Sequence, residues 1–212
     1  MKKLLKAFTL AEVLITLGIV GVVARVTLPT LTMNVQMQTA ATSLAKAINS
    51  LETANAQILL DRGTRSLGTA AGGNNSADYL RLLGQYMNGG KYNETTRMVT
   101  SKDGIAFRQY GLGARNIASR QYDGHYYMIR IDINGAKRPN KEGKDQFTVY
   151  VDHYGSVIPY GGYLYKDYMN TNSVMWENSC PSNKAKKPTS PQTCTGAIVD
   201  NGYKILYAYD AL

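Results

Sequence analysis

Residues 8–28 form an apolar run that a single acid, Glu12, interrupts near its start, and no other stretch narrows the possible folds as much. As a helix the run extends about 31 Å, close to the hydrocarbon thickness of a bilayer. Lys2, Lys3 and Lys6 lie just before it, and the next charge after Glu12 is Arg25. The positive-inside rule then keeps the amino terminus cytoplasmic and sends the rest of the chain outward. Arg25 sits near the far end of the span, where a long cationic side chain snorkels to the interface. Pro29 lacks an N–H and its ring clashes with the Arg25 carbonyl, so a kink is predicted at residues 25–29. Gly18 and Gly21 weaken the helix further or let a neighbouring helix approach. A signal peptide cut after Ala24 would fit the small residues there, and a plain single-pass anchor would fit the length. Neither accounts for Glu12, since a lone carboxylate at membrane depth is unfavourable unless it is paired.

The string A-F-T-L-A-E-V-L-I at residues 7–15 resembles the prepilin cleavage and methylation motif of type IV pilins and type II secretion pseudopilins. The resemblance implies that a membrane-embedded prepilin peptidase removes residues 1–7, cutting between Ala7 and Phe8, and that the new amino group of Phe8 is methylated. Glu12 then takes the fifth mature position, where its carboxylate pairs with the Phe8 amino group of an adjacent subunit. Gly21 and Pro29 fall where the family carries helix-weakening residues. The function implied is a pilin-like structural subunit, polymerised by an inner-membrane assembly platform into a type IV pilus or a type II secretion pseudopilus. Its place is a bacterial inner membrane, single-pass, with the carboxyl-terminal domain extracytoplasmic. Ala7 departs from the glycine that usually precedes the cut, and Arg25 departs from a normally uncharged span. A non-polymerising, membrane-anchored binding module and a DNA-binding competence pseudopilin are the alternatives.

Beyond Pro29 the helical period continues. Met37, Ala41, Leu44, Ile48, Leu51, Asn55 and Ile58 alternate four and three apart, one apolar face interrupted only by Asn55. The helix is predicted to end at about Asp61, before Gly63. Residues 63–76, rich in Gly, Ser, Thr and Asn, read as a loop; Ser76 then caps a short helix over 77–87. Strands are predicted at 97–100, 105–110, 126–133, 146–152, 156–158 and 197–207. The clearest alternation sets Tyr127, Ile129, Ile131 and Ile133 against Met128, Arg130 and Asp132. Short turns between these runs favour an antiparallel meander. The predicted class is α+β, a long helix packed on an antiparallel sheet domain in the pilin-like manner. Its parts are a leader (1–7), a transmembrane and assembly helix (8–31), an amphipathic continuation (32–62) and a globular domain (63–212).

Downstream, Cys180 and Cys194 flank a stretch rich in Pro, Ser, Thr and Lys. After an export signal such a pair reads as one disulfide rather than two free thiols. Asp132, Asn134 and Asp145 offer calcium-type oxygens around one loop, but four cations in that loop oppose a dication. A hairpin turn bonding its own backbone is the alternative, and no other cofactor is expected. The histidines are His125 and His153, and Asp152 and His153 would point to opposite faces of a strand. With no nucleophile or metalloprotease motif, no enzyme is expected. The net charge of +9 carries no dense basic run beyond Lys184, Lys186 and Lys187. Tyrosines crowd residues 159–176, a composition suited to a subunit interface and, secondarily, to stacking single-stranded DNA.

Overall fold

The computed structural model describes residues 9–73, 75–110, 115–116, 125–135, 137–169, 173–210 and 212. The chain divides into two compact units, Met1–Gln36 and Met37–Leu212. One helix, α1 (Leu10–Asp61), runs through both and ends where the sequence predicts.

Within the first unit α1 is apolar on every side apart from Glu12 and Arg25, and Leu14, Ile15, Leu17, Ile19, Val20, Val22, Val26 and Leu28 are all exposed. A helix of that kind lies in lipid or in a bundle. It is long and apolar enough to cross a membrane. Three of its hydroxyls find partners within the helix: Thr16, Thr27 and Thr32 donate to the carbonyls of Glu12 (2.9 Å), Val23 (3.0 Å) and Leu28 (2.8 Å). Every hydroxyl satisfied within the helix removes a polar cost of leaving water. The helical assignment continues through Gly18, Gly21 and Pro29.

In the second unit the predicted stripe of α1 is buried from Met37 to Ile58. Asn55, the polar exception, is wholly buried and answers two partners. Its Nδ2 donates to the Gly155 carbonyl (2.9 Å), and its Oδ1 accepts from the Tyr79 hydroxyl (2.6 Å). Tyr79 stacks face to face on Tyr127, with centroids 4.4 Å apart. That single residue therefore joins α1 to α3 (Ser76–Tyr86) and to the turn closing the sheet. The cap of α3 is Asn75, whose Oδ1 accepts from Ala77 N–H (3.0 Å), and not Ser76 as the sequence suggests. Asn and Ser are near-equal caps, so the sequence alone does not separate them. Inside the predicted 63–76 loop a short α2 (Leu67–Ala71) forms, because Leu67 finds a buried place and Ser66 caps it.

The sheet is antiparallel throughout. It comprises β1 (Lys91–Asn93), β2 (Met98–Thr100), β3 (Ala106–Gln109), β4 (Arg115–Asn116), β5 (His125–Asp132), β6 (Gln146–Asp152) and β7 (Val157–Pro159). The order is β1-β2-β3-β5-β6-β7, with the short β4 pairing β5 off that path. The alternation read in β5 sets the register: Tyr127, Ile129 and Ile131 face Val151, Val149 and Phe147, and all six are buried. Strand β6 is buried at every position, so its second face is also covered. There Tyr150 and Ile158 gather Met128, Tyr160 and Tyr165.

The strand predicted at 197–207 is not a strand. Helices α4 (Tyr163–Met169) and α5 (Met175–Ser179) are followed by a 3-10 turn (Pro191–Thr193) and α6 (Cys194–Asp200). Three local constraints outweigh the β-branched Ile198 and Val199. Pro191 starts the 3-10 turn, the Cys180–Cys194 disulfide (Cα–Cα 5.3 Å) holds the first residue of α6, and Asn201-Gly202 closes its end. Gly196 lets α6 lie on the Gly161-Gly162 turn, where a Cβ would come within 2.1 Å of Gly162 N.

Candidate functional site

The feature that organises the first unit is the opening turn of α1. Helices begin with orphan N–H groups, and a Thr-x-x-Glu sequence can satisfy two of them reciprocally. Thr9 and Glu12 do so. The Glu12 carboxylate accepts from Thr9 N–H (2.9 Å) and from the Thr9 hydroxyl (2.8 Å), and Glu12 N–H donates back to Thr9 Oγ1 (3.2 Å). The first backbone bond, Val13 N–H to Thr9 carbonyl, closes the turn at 3.2 Å. The helix dipole also favours an anion at this end. Geometry thus holds the Glu12 carboxylate folded back beside the amino-terminal end of α1, although both residues remain exposed.

A capping box supplies hydrogen bonds and leaves the negative charge in place. A cation brought to the same carboxylate adds a charge-assisted bond that Thr9 cannot provide. Thr9 was legible as the first letter of T-L-A-E, but the apolar run draws the eye to the acid alone. Ala7 and Phe8, at the expected cleavage and methylation point, lie outside the described residues. Gly21 meets open space, with nothing within 4 Å of a Cβ built on it. Pro29 sits inside α1 and removes the N–H that would bond the Arg25 carbonyl.

Asp132, Asn134 and Asp145 are brought together at the β5–β6 connection, where the two carboxylates turn to N–H groups and the Asn134 Oδ1 is buried without a hydrogen bond. Asp145 accepts from Asn140 N–H (2.7 Å), Lys141 N–H (2.5 Å) and Asn134 Nδ2 (3.1 Å). Asp132 accepts from Gln146 Nε2 (2.9 Å) and Asn134 N–H (3.3 Å), and burial pushes its carboxyl above the usual range. This is the donor set of a closed turn; a cation shell needs those oxygens turned to the metal. Among the described residues no group of three or more His, Cys, Asp or Glu side chains could hold a metal ion.

His153 lies in the β6–β7 turn, its ring against Tyr154 with centroids 3.8 Å apart, while the neighbouring Asp152 carboxylate accepts from Ser156 N–H (2.7 Å). The side chain of His125 lies outside the described part. A cleft of about 360 Å³ opens between α1 and the β2–β3 turn, lined by Asn49, Thr53, Tyr86, Ser101 and Asp103 among others. The acid there, Asp103, is paired with Lys46 at 2.9 Å. Much of the tyrosine-rich stretch is spent on internal packing. Tyr160 and Tyr165 meet edge to face at 4.9 Å, and Trp176 Nε1 donates to Asp200 (2.8 Å). Residues 170–172 lie outside the described residues.

No protein-family model, no curated protein and no solved structure matches the chain.

Proposed function

We propose that this chain is a pilin-like structural subunit, cut before Phe8, methylated there and polymerised through α1 into a type IV pilus or type II secretion pseudopilus. The observation that carries the reading is the pairing of a helix apolar on every side but for Arg25 with one hydrogen-bonded carboxylate in its first turn. In a bilayer that carboxylate is a standing cost. In a bundle, the cationic amino group of Phe8 on an adjacent subunit neutralises it, so leaving lipid for the filament is favoured. Thr9 keeps the carboxylate close to where that amino group arrives.

The subunit is inserted once in the inner membrane with its sheet domain outside. Its partners are the prepilin peptidase, the assembly platform and other pilin or pseudopilin subunits. Among the described residues the domain offers no constellation suited to catalysis, and its role is to form the outer surface of the filament. Intact-mass and amino-terminal sequencing of the protein recovered from membranes test the reading. A chain beginning at Phe8 and carrying one added methyl group is expected. A chain beginning at Met1 or at Arg25 would show an uncleaved anchor or an ordinary signal peptide instead.

A further inference from the structure

Two loops of the second unit hold positive charge out of proportion to their length. Residues 137–144 carry Lys137, Arg138, Lys141 and Lys144 against one acid, Glu142. Residues 181–190 carry Lys184, Lys186 and Lys187 with no acid at all. Though distant in sequence, the loops are joined by the carboxyl-terminal segment. Ala208 N–H donates to the Lys186 carbonyl (2.9 Å), the Tyr209 hydroxyl donates to the Lys144 carbonyl (3.0 Å), and the Tyr207 hydroxyl donates to the Gly143 carbonyl. The two also touch near Gly143, where a Cβ would lie 3.2 Å from the Pro191 carbonyl oxygen. One continuous basic surface results.

Opposing charge on it is thin. Glu142 is taken by Arg130, and Asp132 and Asp145 are buried with their oxygens turned inward, which leaves Asp210 exposed. Lys137, Arg138, Lys141, Lys184, Lys186 and Lys187 are exposed. Lys141 Nζ reaches the Leu212 carbonyl (2.7 Å), and Lys144 lies over the Tyr209 ring at 5.1 Å. Both loops have ordered backbones. Asp145 gathers the N–H groups of Asn140 and Lys141; the disulfide and the Thr189 N–H to Ser179 carbonyl bond (2.9 Å) close the other. Cations on an ordered scaffold lose less freedom when they bind.

We propose that this paired-loop surface binds the phosphate backbone of double-stranded nucleic acid. Lysines are point charges that meet phosphates without reading bases. Among the described residues, none of the exposed large hydrophobic side chains lies in either loop. The surface therefore lacks the aromatic platform that single strands stack on, and the apolar wedge that a lipid interface takes. Binding of this kind needs one subunit and does not rest on filament assembly, so either proposal can fail without the other.

The test uses the full chain in neutral detergent micelles and a fluorescent 30-base-pair duplex, followed by anisotropy from 50 to 200 mM salt. If five phosphates are engaged, the affinity falls about 500-fold over that range. The triple variant Lys184→Gln, Lys186→Gln, Lys187→Gln should weaken binding about 100-fold at 100 mM salt and flatten the salt slope by about three. A matched triple, Arg62→Gln, Arg65→Gln, Arg97→Gln, removes the same charge at the opposite end of the sheet from the β5–β6 connection. It should stay within threefold of wild type, and both triples should keep the wild-type melting temperature. Equal losses in the two triples would reduce the effect to net charge and overturn the proposal. So would absence of duplex binding by the wild type. Displacement of the duplex by monomeric short-chain phosphatidylglycerol at equal phosphate would overturn it in favour of a lipid headgroup site.

Discussion

Replacing Asn55 by Leu keeps the side-chain size, yet it strips the second unit of its buried polar junction. The substitution leaves the Gly155 carbonyl and the Tyr79 hydroxyl without partners in places from which water is excluded. Each orphaned buried group costs about 1–3 kcal/mol, so the two together cost roughly 2–6 kcal/mol. Leucine's better helix propensity returns about 0.4 kcal/mol. A net loss of about 3 kcal/mol is expected, which lowers the melting temperature by roughly 6–12 °C in a domain of this size. The assay is urea unfolding of the full chain in micelles, followed by near-ultraviolet circular dichroism of the stacked Tyr79–Tyr127 pair. Adding Tyr79→Phe removes one of the two orphans, so the double variant should recover about 1–2 kcal/mol relative to Asn55→Leu. An unchanged midpoint in Asn55→Leu, or strict additivity in the double variant, would refute the junction as a determinant of stability.

Alkaline pH should unfold the second unit. Burial holds the Tyr79 and Tyr207 phenols well above their ordinary value, and burial, with Asp78 and Asp145 adding to it, pushes Tyr127 and Tyr209 up to about 12. The fold prefers the protonated phenols, so their contribution is complete below pH 10 and is lost as pH rises from 10 to 12 and beyond. A phenolate absorbance titration should therefore show a late group that ionises together with loss of structure; a single step near pH 10 for all tyrosines would contradict this. Replacing Cys180 and Cys194 by alanine opens a loop of separation 14 and should cost about 3 kcal/mol by the chain-entropy relation, measured as a lower urea midpoint. Gly196→Ala drives a methyl group into the Gly162 backbone, and α6 must move away from the Gly161-Gly162 turn. A drop of several kcal/mol, with faster proteolysis of residues 159–200, is expected; a wild-type melting curve would show that the approach is looser than described.

The elements easiest to read in the sequence were those with a long, clean period. The end of α1 at Asp61, the buried stripe from Met37 to Ile58 and the whole of β6 follow from apolar spacing. Where partners far along the chain decide the outcome, spacing was silent. The region of residues 197–207 has the composition of a strand, but a disulfide, a proline and a glycine contact with Gly162 make its first part a helix. Asn55 looked like a flaw in the stripe, because its partners lie 24 and 100 residues away. Glu12 reads as an awkward acid within an apolar run, whereas its bond to Thr9 follows from the T-x-x-E spacing. The basic surface needed the fold, since its two loops meet only through the carboxyl-terminal segment.

On the proposed reading, Glu12 serves assembly through its charge and not only through the turn it caps. Glu12→Ala and Thr9→Ala both break the capping box, but only the first removes the carboxylate. Sheared filament fractions and membrane fractions from cells expressing each variant, quantified by immunoblot, separate the two roles. Glu12→Ala is expected to insert in the membrane at the wild-type level and to be missing from filaments, while Thr9→Ala assembles at reduced yield. Glu12→Ala in filaments at wild-type abundance would contradict a role for the Glu12 charge in assembly.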